Sequence, residues 1–593
     1  MEGVVSASKP DFGGPMYNPL LLTCLMLSGG LATAEPDTVI RWNQQGYAPE
    51  QPKEIIVMSQ RDLMGTVWQV EGTRFELEGT LGSSVIGQGP NTPWPFNYRI
   101  DLSDALQEPG DYDLQVGNLA PVGLKIRLAP YAALANLPLV HLRMQRSGTD
   151  TVTWREASHF GDAAAWLEVP DGDPADGQWQ SAPDDRRVNV LGGWYDAGDH
   201  IKFTLTTAYT AYHLLLAYEV APEIFETRHS TSDLPDILDE IRHGLEYVLK
   251  LWPDRDTFIV QVGDSADHSL GWRLPVDDEL DGQRPAKAAL ARVQMASVVA
   301  VLARGARVME PHDPELAGRC AAMARGLMER AQESDTVPLA FERASTNDFY
   351  RDPSELDQMS LAALEMAALD GDKAWLEVAE HYAPGASREV GWAHWQWLPN
   401  SGMAAVGIKA GREGLATEVG AYLEHAAGPG QPWGLPIRYI WGSVARWIGS
   451  ANAARVATAE GMIGPEGDAL FYGVLDYVFG RNNWGVSFLF DERLPNRLEE
   501  LYSPTAYLMD RYPIGALSAG PTSRRTHRPM EQFFKEPDSG RLAAFDTETA
   551  VFHDNRYDFV CHESTIGAQA DIVLMLALAS RASADPLGWE DLP

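Results

Sequence analysis

Residues 232–252 read SDLPDILDEIRHGLEYVLKLW, and the placing of their apolar side chains decides the fold class. Leu234, Ile237, Leu238, Ile241, Leu245, Val248 and Leu249 recur at helical spacing. Pro235 sits near the start, where a helix needs no amide proton. Runs of the same period appear near 205–220, 286–309, 313–332, 354–369, 373–383, 413–425, 438–458, 466–480 and 565–581. About ten to twelve helices with few strands predict a large all-α domain. Successive helical hairpins either close into a ring or stack as a solenoid, and no fixed-period repeat demands a solenoid.

Upstream the period changes. From Thr38 to about Ala129 the segments IRWNQQGY, EIIVMSQ, VWQVEG, YRIDLS, YDLQVG and GLKIRLA are separated by Gly, Pro, Asp and Asn turns. Such spacing predicts a small all-β sandwich of about 90 residues. It carries no paired acids or histidine cluster, so its expected role is structural or positioning. Further upstream, Pro19 to Ala34 (PLLLTCLMLSGGLATA) is apolar and ends in Ala32-Thr33-Ala34, a small-x-small cleavage pattern. The expected organisation is a signal peptide at 1–34, a sandwich at 37–130 and a helical domain at 131–585. Export to the periplasm or the medium follows from the leader, with Met1 and Met16 both open as starts. The apolar stretch is too short to span a membrane.

The 593 residues carry 47 basic and 83 acidic side chains, a net charge of −36. Such a surface repels a phosphate backbone, so nucleic-acid binding is disfavoured. Neutral sugars are indifferent to it and cationic amino sugars are attracted, while solubility in salt would produce the same excess. Of three cysteines, Cys24 lies in the leader, and Cys320 with Cys561 make neither a disulfide framework nor a CxxC metal site.

Two segments could carry chemistry. Residues 192–203, GGWYDAGDHIKF, place Asp196 and Asp199 three residues apart with glycines freeing the backbone. Such a pair can orient one water as a nucleophile; an Asp-rich cap before the next helix would read the same. Residues 554–571, DNRYDFVCHESTIGAQAD, place Glu563 where the chain turns apolar before a helix. Desolvation there would raise its pKa and keep it protonated, whereas a capping role at the helix N-terminus would favour the charged form.

The run GGWYDAGDHIKF resembles the signature of family 9 glycoside hydrolases. LPDILDEIRHGLEYVLKL, VQVGDSADHSLGW (260–272), Trp441-Gly442-Ser443, FGRNNWGVSF (479–488), GALSAGPTS (515–523) and Tyr557…His562-Glu563…Ile566 are similar to that family's segments, in the same order. NQQGY (43–47) resembles the start of the immunoglobulin-like module that precedes many such catalytic domains. The resemblance covers nearly the whole chain after the leader. It implies a multidomain protein, an immunoglobulin-like β-sandwich followed by an (α/α)6 barrel. It also implies an inverting β-1,4-glucanase of the cellulase type, with Asp199 as general base, Asp196 holding the nucleophilic water and Glu563 as general acid. In inverting enzymes the two carboxyls stand ~6.5–9.5 Å apart. Trp194, Tyr195, His268, Trp272 and Tyr557 are the candidates for the sugar-binding surface, since aromatic faces stack on pyranose rings.

The chain departs from the family in two places. The stretch 491–507, DERLPNRLEELYSPTAY, lacks the histidines of the family's Pro-His-His-Arg segment. Arg497 is its nearest basic remnant, and His527-Arg528 comes later in the chain. Relatives that bind zinc use a QRCG…CH pattern, where this chain has Ser147, Ser158 and His159. Serine hydroxyls do not replace thiolates, so zinc is not expected there. The resemblance implies no cofactor for the chemistry and allows a structural calcium at unassigned residues. The expected partner is a β-glucan polysaccharide or oligosaccharide. Two further readings stand beside the endoglucanase: an exo-acting β-glucosidase or glucosaminidase on cello- or chitosan oligosaccharides, and an inactive carbohydrate-binding protein.

Overall fold

A computed structural model describes residues 37–581, with breaks at 86–88, 150, 229–231, 336–338, 340–349, 351–354, 387–431, 436, 460, 462 and 535–539. The expected signal peptide at 1–34 and the periodic run at 413–425 lie outside the described residues.

Among the described residues the β region holds seven strands: β1 (Thr38–Arg41), β2 (Glu54–Ser59), β3 (Val67–Gly72), β4 (Phe75–Thr80), β5 (Phe96–Asp101), β6 (Gly110–Val116) and β7 (Val122–Ile126). They form two antiparallel sheets, ordered β1-β2-β5 and β4-β3-β6-β7. Strand β6 shows the cause: in GDYDLQV, Tyr112, Leu114 and Val116 are buried and the residues between them are exposed. Ile55, Val57, Tyr98 and Ile100 of one sheet share a core with Val70, Leu114 and Leu124 of the other. Strand β2 is apolar on both faces. Its alternate residues, Ile56 and Met58, join the core of the helical region, which explains the unbroken run EIIVM.

The NQQGY segment is a clamp between the two regions. Asn43 Nδ2 and Gln51 Nε2 donate to Asp476 Oδ1 at 2.9 and 2.8 Å. Gln44 Nε2 donates to the Gly485 carbonyl at 2.9 Å, and Arg41 Nε to that of Asn483 at 3.0 Å. The FGRNNWG turn thus lies directly on the sandwich. A Cβ at Gly480 would stand 2.4 Å from Gln44 Nε2, so that glycine is required for the approach.

The helices are α1 (Leu137–Met144), α2 (Thr204–Val220), α3 (Asp236–Val248), α4 (Ala266–Ser269), α5 (Arg292–Met309), α6 (Pro314–Glu333), α7 (Leu356–Asp370), α8 (Ala374–Ala386), α9 (Ser443–Ala459), α10 (Glu466–Val478) and α11 (Ile566–Ala579). Two further short turns, Pro504–Leu508 and Phe559–His562, matter for the site. Helices α2 and α11 are buried on all sides along nearly their whole length, whereas α6 buries a single stripe. The first kind forms an inner row, α9-α11-α2-α5-α7, and α3, α6, α8 and α10 pack outside it. The last helix returns to the first inner one, where Tyr209 Oη donates to Asp571 Oδ1 at 2.6 Å. A stacked solenoid would keep those two apart, so the hairpins form a ring.

One element was not foreseen. A six-stranded sheet of short strands lies within the helical region, ordered β10-β8-β13-β12-β11 with β9 paired to β8. Its strands are β8 (Ala165–Pro170), β9 (Trp179–Ser181), β10 (Arg187–Val188), β11 (Lys202–Phe203), β12 (Ile259–Val262) and β13 (Pro285–Ala288). Strand β13 takes the first residues of the run expected as a helix from 286, and α5 starts only at Arg292. Pairing of Lys202 with Val262 sets the GGWYDAGDHIKF and VQVGDSADHSLGW segments side by side. No helix of the described residues is long and apolar enough to cross a membrane.

Candidate active site

The loop before β11 is anchored from below. Trp194 Nε1 donates to Glu240 Oε2 on α3 at 3.0 Å, and Arg146 Nη2 holds Glu240 Oε1 at 2.8 Å. The Trp194 ring covers Gly244, where a Cβ would meet it at 2.3 Å. Tyr195 Oη lies 2.9 Å from Ser158 Oγ and 2.6 Å from His159 Nδ1. Trp194 and Tyr195 are therefore core residues, at 0% and 2% exposure, and offer no face to a sugar. That corrects their expected place on the binding surface. Packing took them because large rings beside a functional loop are what can fix it. Lys202 completes the anchor, its Nζ reaching Asp162 at 2.7 Å and the Val190 and Gly192 carbonyls at 2.9 and 3.0 Å.

Three carboxyl groups sit above this floor. The Asp196 amide donates to the Ile201 carbonyl at 2.9 Å, and its carbonyl accepts from the Ile566 amide at 2.9 Å, joining the loop to the start of α11. Its carboxylate accepts from Tyr350 Oη. Burial, with Asp199 adding its charge, pushes the Asp196 carboxyl up to about 7. Asp199 Oδ1 accepts from the Ile201 amide at 2.9 Å, and Asp199 Oδ2 lies 2.8 Å from His268 Nε2. That contact raises His268 to about 9, so at neutral pH it is an imidazolium paired with Asp199. His268 was expected on the sugar surface; about a third of its side chain is exposed there, and its ring also holds a carboxylate.

Glu563 follows the short turn Phe559–His562 and precedes α11, whose N-cap is Thr565: its side chain accepts from the Ala568 amide. Capping is thus done by another residue. Glu563 Oε1 instead accepts from the Gly198 amide at 3.2 Å, directly beside Asp199. Burial first, and the Asp199 charge second, push the Glu563 carboxyl up to about 8. Of the two opposed readings of this position, capping falls to Thr565, and burial moves the Glu563 carboxyl in the direction the desolvated reading expects. Gly198 has no room for a side chain, since a Cβ would stand 2.5 Å from the Tyr502 ring and 3.1 Å from Glu563 Oε1.

Beside Glu563 lies an aromatic surface. Trp272 and Tyr557 stack with centroids 4.9 Å apart, and Tyr502 and Tyr507 meet Trp272 edge-on at 5.4 and 5.3 Å. Arg556 covers the Tyr507 ring at 4.5 Å and pairs with Glu500. Trp272 and Tyr557 are partly exposed, as a binding surface requires. Tyr502 and Tyr507 were missed, although they lie in the 491–507 stretch already marked as divergent; its aromatic content was the available signal. Tyr350 was also missed, and nothing in the sequence relates it to Asp196, 154 residues away.

Arg497 pairs with Glu499 at 2.9 Å, and His527 is buried on Asp558 at 2.7 Å, so the second is no sugar contact. At the Ser147, Ser158 and His159 position both ring nitrogens of His159 are engaged, by Tyr195 and by Asp278 at 2.7 Å. Hydroxyl oxygens surround it where thiolates would be needed, so this set does not fit zinc.

The chain is 29% identical over 508 residues to Endoglucanase C of Cellulomonas fimi, covering 77% of this chain and 44% of that one. It thus spans under half the length of that relative. Endoglucanase D of Acetivibrio thermocellus is 23% identical over 475 residues, covering 76% of this chain and 73% of that one. Among solved structures, a thermostable endoglucanase from Alicyclobacillus acidocaldarius superposes with a TM-score of 0.72 at 22% identity, covering 92% of this chain and all 100% of that one. A Zn-binding triple mutant of a family 9 endoglucanase superposes with a TM-score of 0.71 at 21% identity, covering 90% and 100%. These likenesses identify the ring of helical hairpins as an (α/α)6 barrel behind an N-terminal β region. The family model for Glycosyl hydrolase family 9 matches residues 131–576, and the chain belongs to that family.

Proposed function

We propose that the protein is an inverting, endo-acting β-1,4-glucanase with Glu563 as general acid and Asp199 as general base. The observation that carries this reading is the Gly198 amide bond to Glu563, which sets a carboxyl with a pKa near 8 beside the Asp199 carboxylate. A proton stays on Glu563 at neutral pH and passes to the leaving glycosidic oxygen. A water held by Asp196 and Asp199 attacks the anomeric carbon, and Asp199 takes its proton. One C–O bond breaks, one forms, and both carboxyls exchange states without any cofactor. The endoglucanase relatives support a β-1,4-glucan substrate. Trp272, Tyr502, Tyr507 and Tyr557 provide ring faces for it, and His268 keeps the base in place. On this reading the catalytic domain is 131–585, the sandwich at 37–130 is an immunoglobulin-like module, and the leader at 1–34 directs export to the periplasm or the medium.

The test is a product profile from soluble cellulose, mixed-linkage glucan, xyloglucan and chitosan, with wild type and Glu563→Gln. A spread of oligomers from a glucan, lost by about 10³-fold in the variant, is the expected result. Monomer alone would make the enzyme exo-acting, and unchanged turnover in the variant would remove Glu563 from its role.

A further inference from the structure

Residues 527–558 gather a group of side chains that the hydrolytic reaction does not use. His527 Nε2 lies 2.7 Å from Asp558 Oδ2, and His553 Nδ1 lies 3.6 Å from the same oxygen. One ligand atom from each of the three lies within 4.8 Å of the others. The two rings are perpendicular, with centroids 4.8 Å apart, so their nitrogens reach that point from different directions.

The far sides of the rings carry a second pattern. His527 Nδ1 stands 3.2 Å from Glu531 Oε1, and His553 Nε2 stands 3.5 Å from Asp546 Oδ2. Each imidazole thus offers one nitrogen to the shared point and the other to a carboxylate. That relay is how metal-ligating histidines are oriented and made more basic. Three carboxylates face this group against one guanidinium, Arg524, which reaches Asp546 at 3.9 Å and is half exposed. Asp558 is fully buried, and its other oxygen accepts from the Cys561 amide at 3.1 Å. Ligand atoms around a tetrahedral zinc at ~2.0–2.1 Å lie roughly 3.3 Å from one another, and the distances of 2.7 and 3.6 Å fall on either side of that spacing.

We infer that His527 Nε2, His553 Nδ1 and Asp558 Oδ2 form a binding site for a divalent transition-metal ion, zinc by its donor set, with a fourth position left to water. The second cluster, His159, His200 and Asp278, does not compete. Arg273 contacts Asp278 at 2.9 Å and Arg284 approaches it at 3.8 Å, so two fixed cations already neutralise it. The site at 527–558 is distinct from the serine-substituted position and has a structural consequence. The His553 carbonyl accepts from His562 Nε2, the neighbour of Glu563. An ion bound there fixes the strand of chain that presents Glu563.

The full chain, treated with a chelator and dialysed, would be titrated with ZnCl2 by calorimetry, with metal content measured in parallel. The expected result is saturable uptake of one zinc per chain with a rise in Tm. His527→Gln and His553→Gln each weaken it by about 100-fold, and His159→Gln leaves it unchanged. His553 is partly exposed, so its variant remains informative should His527→Gln fail to fold. No saturable uptake by the wild type, uptake retained in both variants, or loss on His159→Gln would each overturn the proposal.

Discussion

His268 Nε2 stands 2.8 Å from Asp199 Oδ2, a pairing across 69 residues of chain that strands β11 and β12 create by lying side by side. On the proposed mechanism, a cation held against this carboxylate orients it for the attacking water. A hydrogen bond to a charged group contributes about 1.5–3 kcal/mol. His268→Asn should therefore lower kcat by about 10- to 100-fold while KM changes little, and steady-state kinetics on a soluble glucan would show it. Equal loss in both parameters would assign His268 to substrate contact alone.

With Glu563 as the proposed acid, the alkaline side of the pH profile belongs to its carboxyl. Its carboxyl is raised to about 8, and only the protonated form can serve the leaving oxygen. Activity should hold through neutral pH and fall as pH rises through about 8. Since the Asp199 charge contributes to that shift, Asp199→Asn should lower the Glu563 pKa, read by NMR titration of the labelled carboxyl.

Gly198→Ala introduces a methyl group into a space bounded by the Tyr502 ring and Glu563. The Tyr502 ring, 2.5 Å from that methyl position, must move by about an ångström, and the acid at 3.1 Å by a few tenths. We expect a folded protein with near-wild-type circular dichroism and activity reduced about 100-fold, since misplacement at that scale carries such a penalty.

Trp272→Ala removes the partner stacked on Tyr557. An aromatic pair contributes about 0.5–1.5 kcal/mol beyond its buried area. The prediction is a KM higher by about 3- to 10-fold on oligosaccharides with a smaller change in kcat.

Asp476, where the sandwich meets the barrel, is raised by burial to about 7. In the folded state it keeps its proton over the window from about 4 to 7, while the unfolded chain has lost it. Stability should thus decline as pH rises through that window. Asp476→Asn, which keeps an oxygen for Asn43 and Gln51, should flatten that slope in denaturant melts taken from pH 4 to 8.

The helices and the β region were legible because their periods, 3.6 and 2, are written locally in segments such as 232–252 and GDYDLQV, whereas closure of the helices into a ring followed only from the family resemblance. The strands at 259–262 and 285–288 were not, since they are four residues long and fully buried, with no alternation to display. In the site, the acids came from residue-by-residue resemblance. The role of each aromatic did not, because burial separates an anchoring Trp194 from an exposed Trp272, and burial is a tertiary property. Tyr350 on Asp196 and His268 on Asp199 depend on where distant loops meet, for which one sequence carries no signal.

Strand β2 sends Ile55 and Val57 into one core and Ile56 and Met58 into the other. The family match begins at 131, but that residue is not where the molecule can be cut. The described residues from Thr38 onward form one compact unit. A chain started at 131 would present bare hydrocarbon where Ile56 and Met58 had been and would leave Asp476 without its donors Asn43 and Gln51. The sandwich is thus less an accessory than a wall of the helical domain, and the two halves should melt in a single transition.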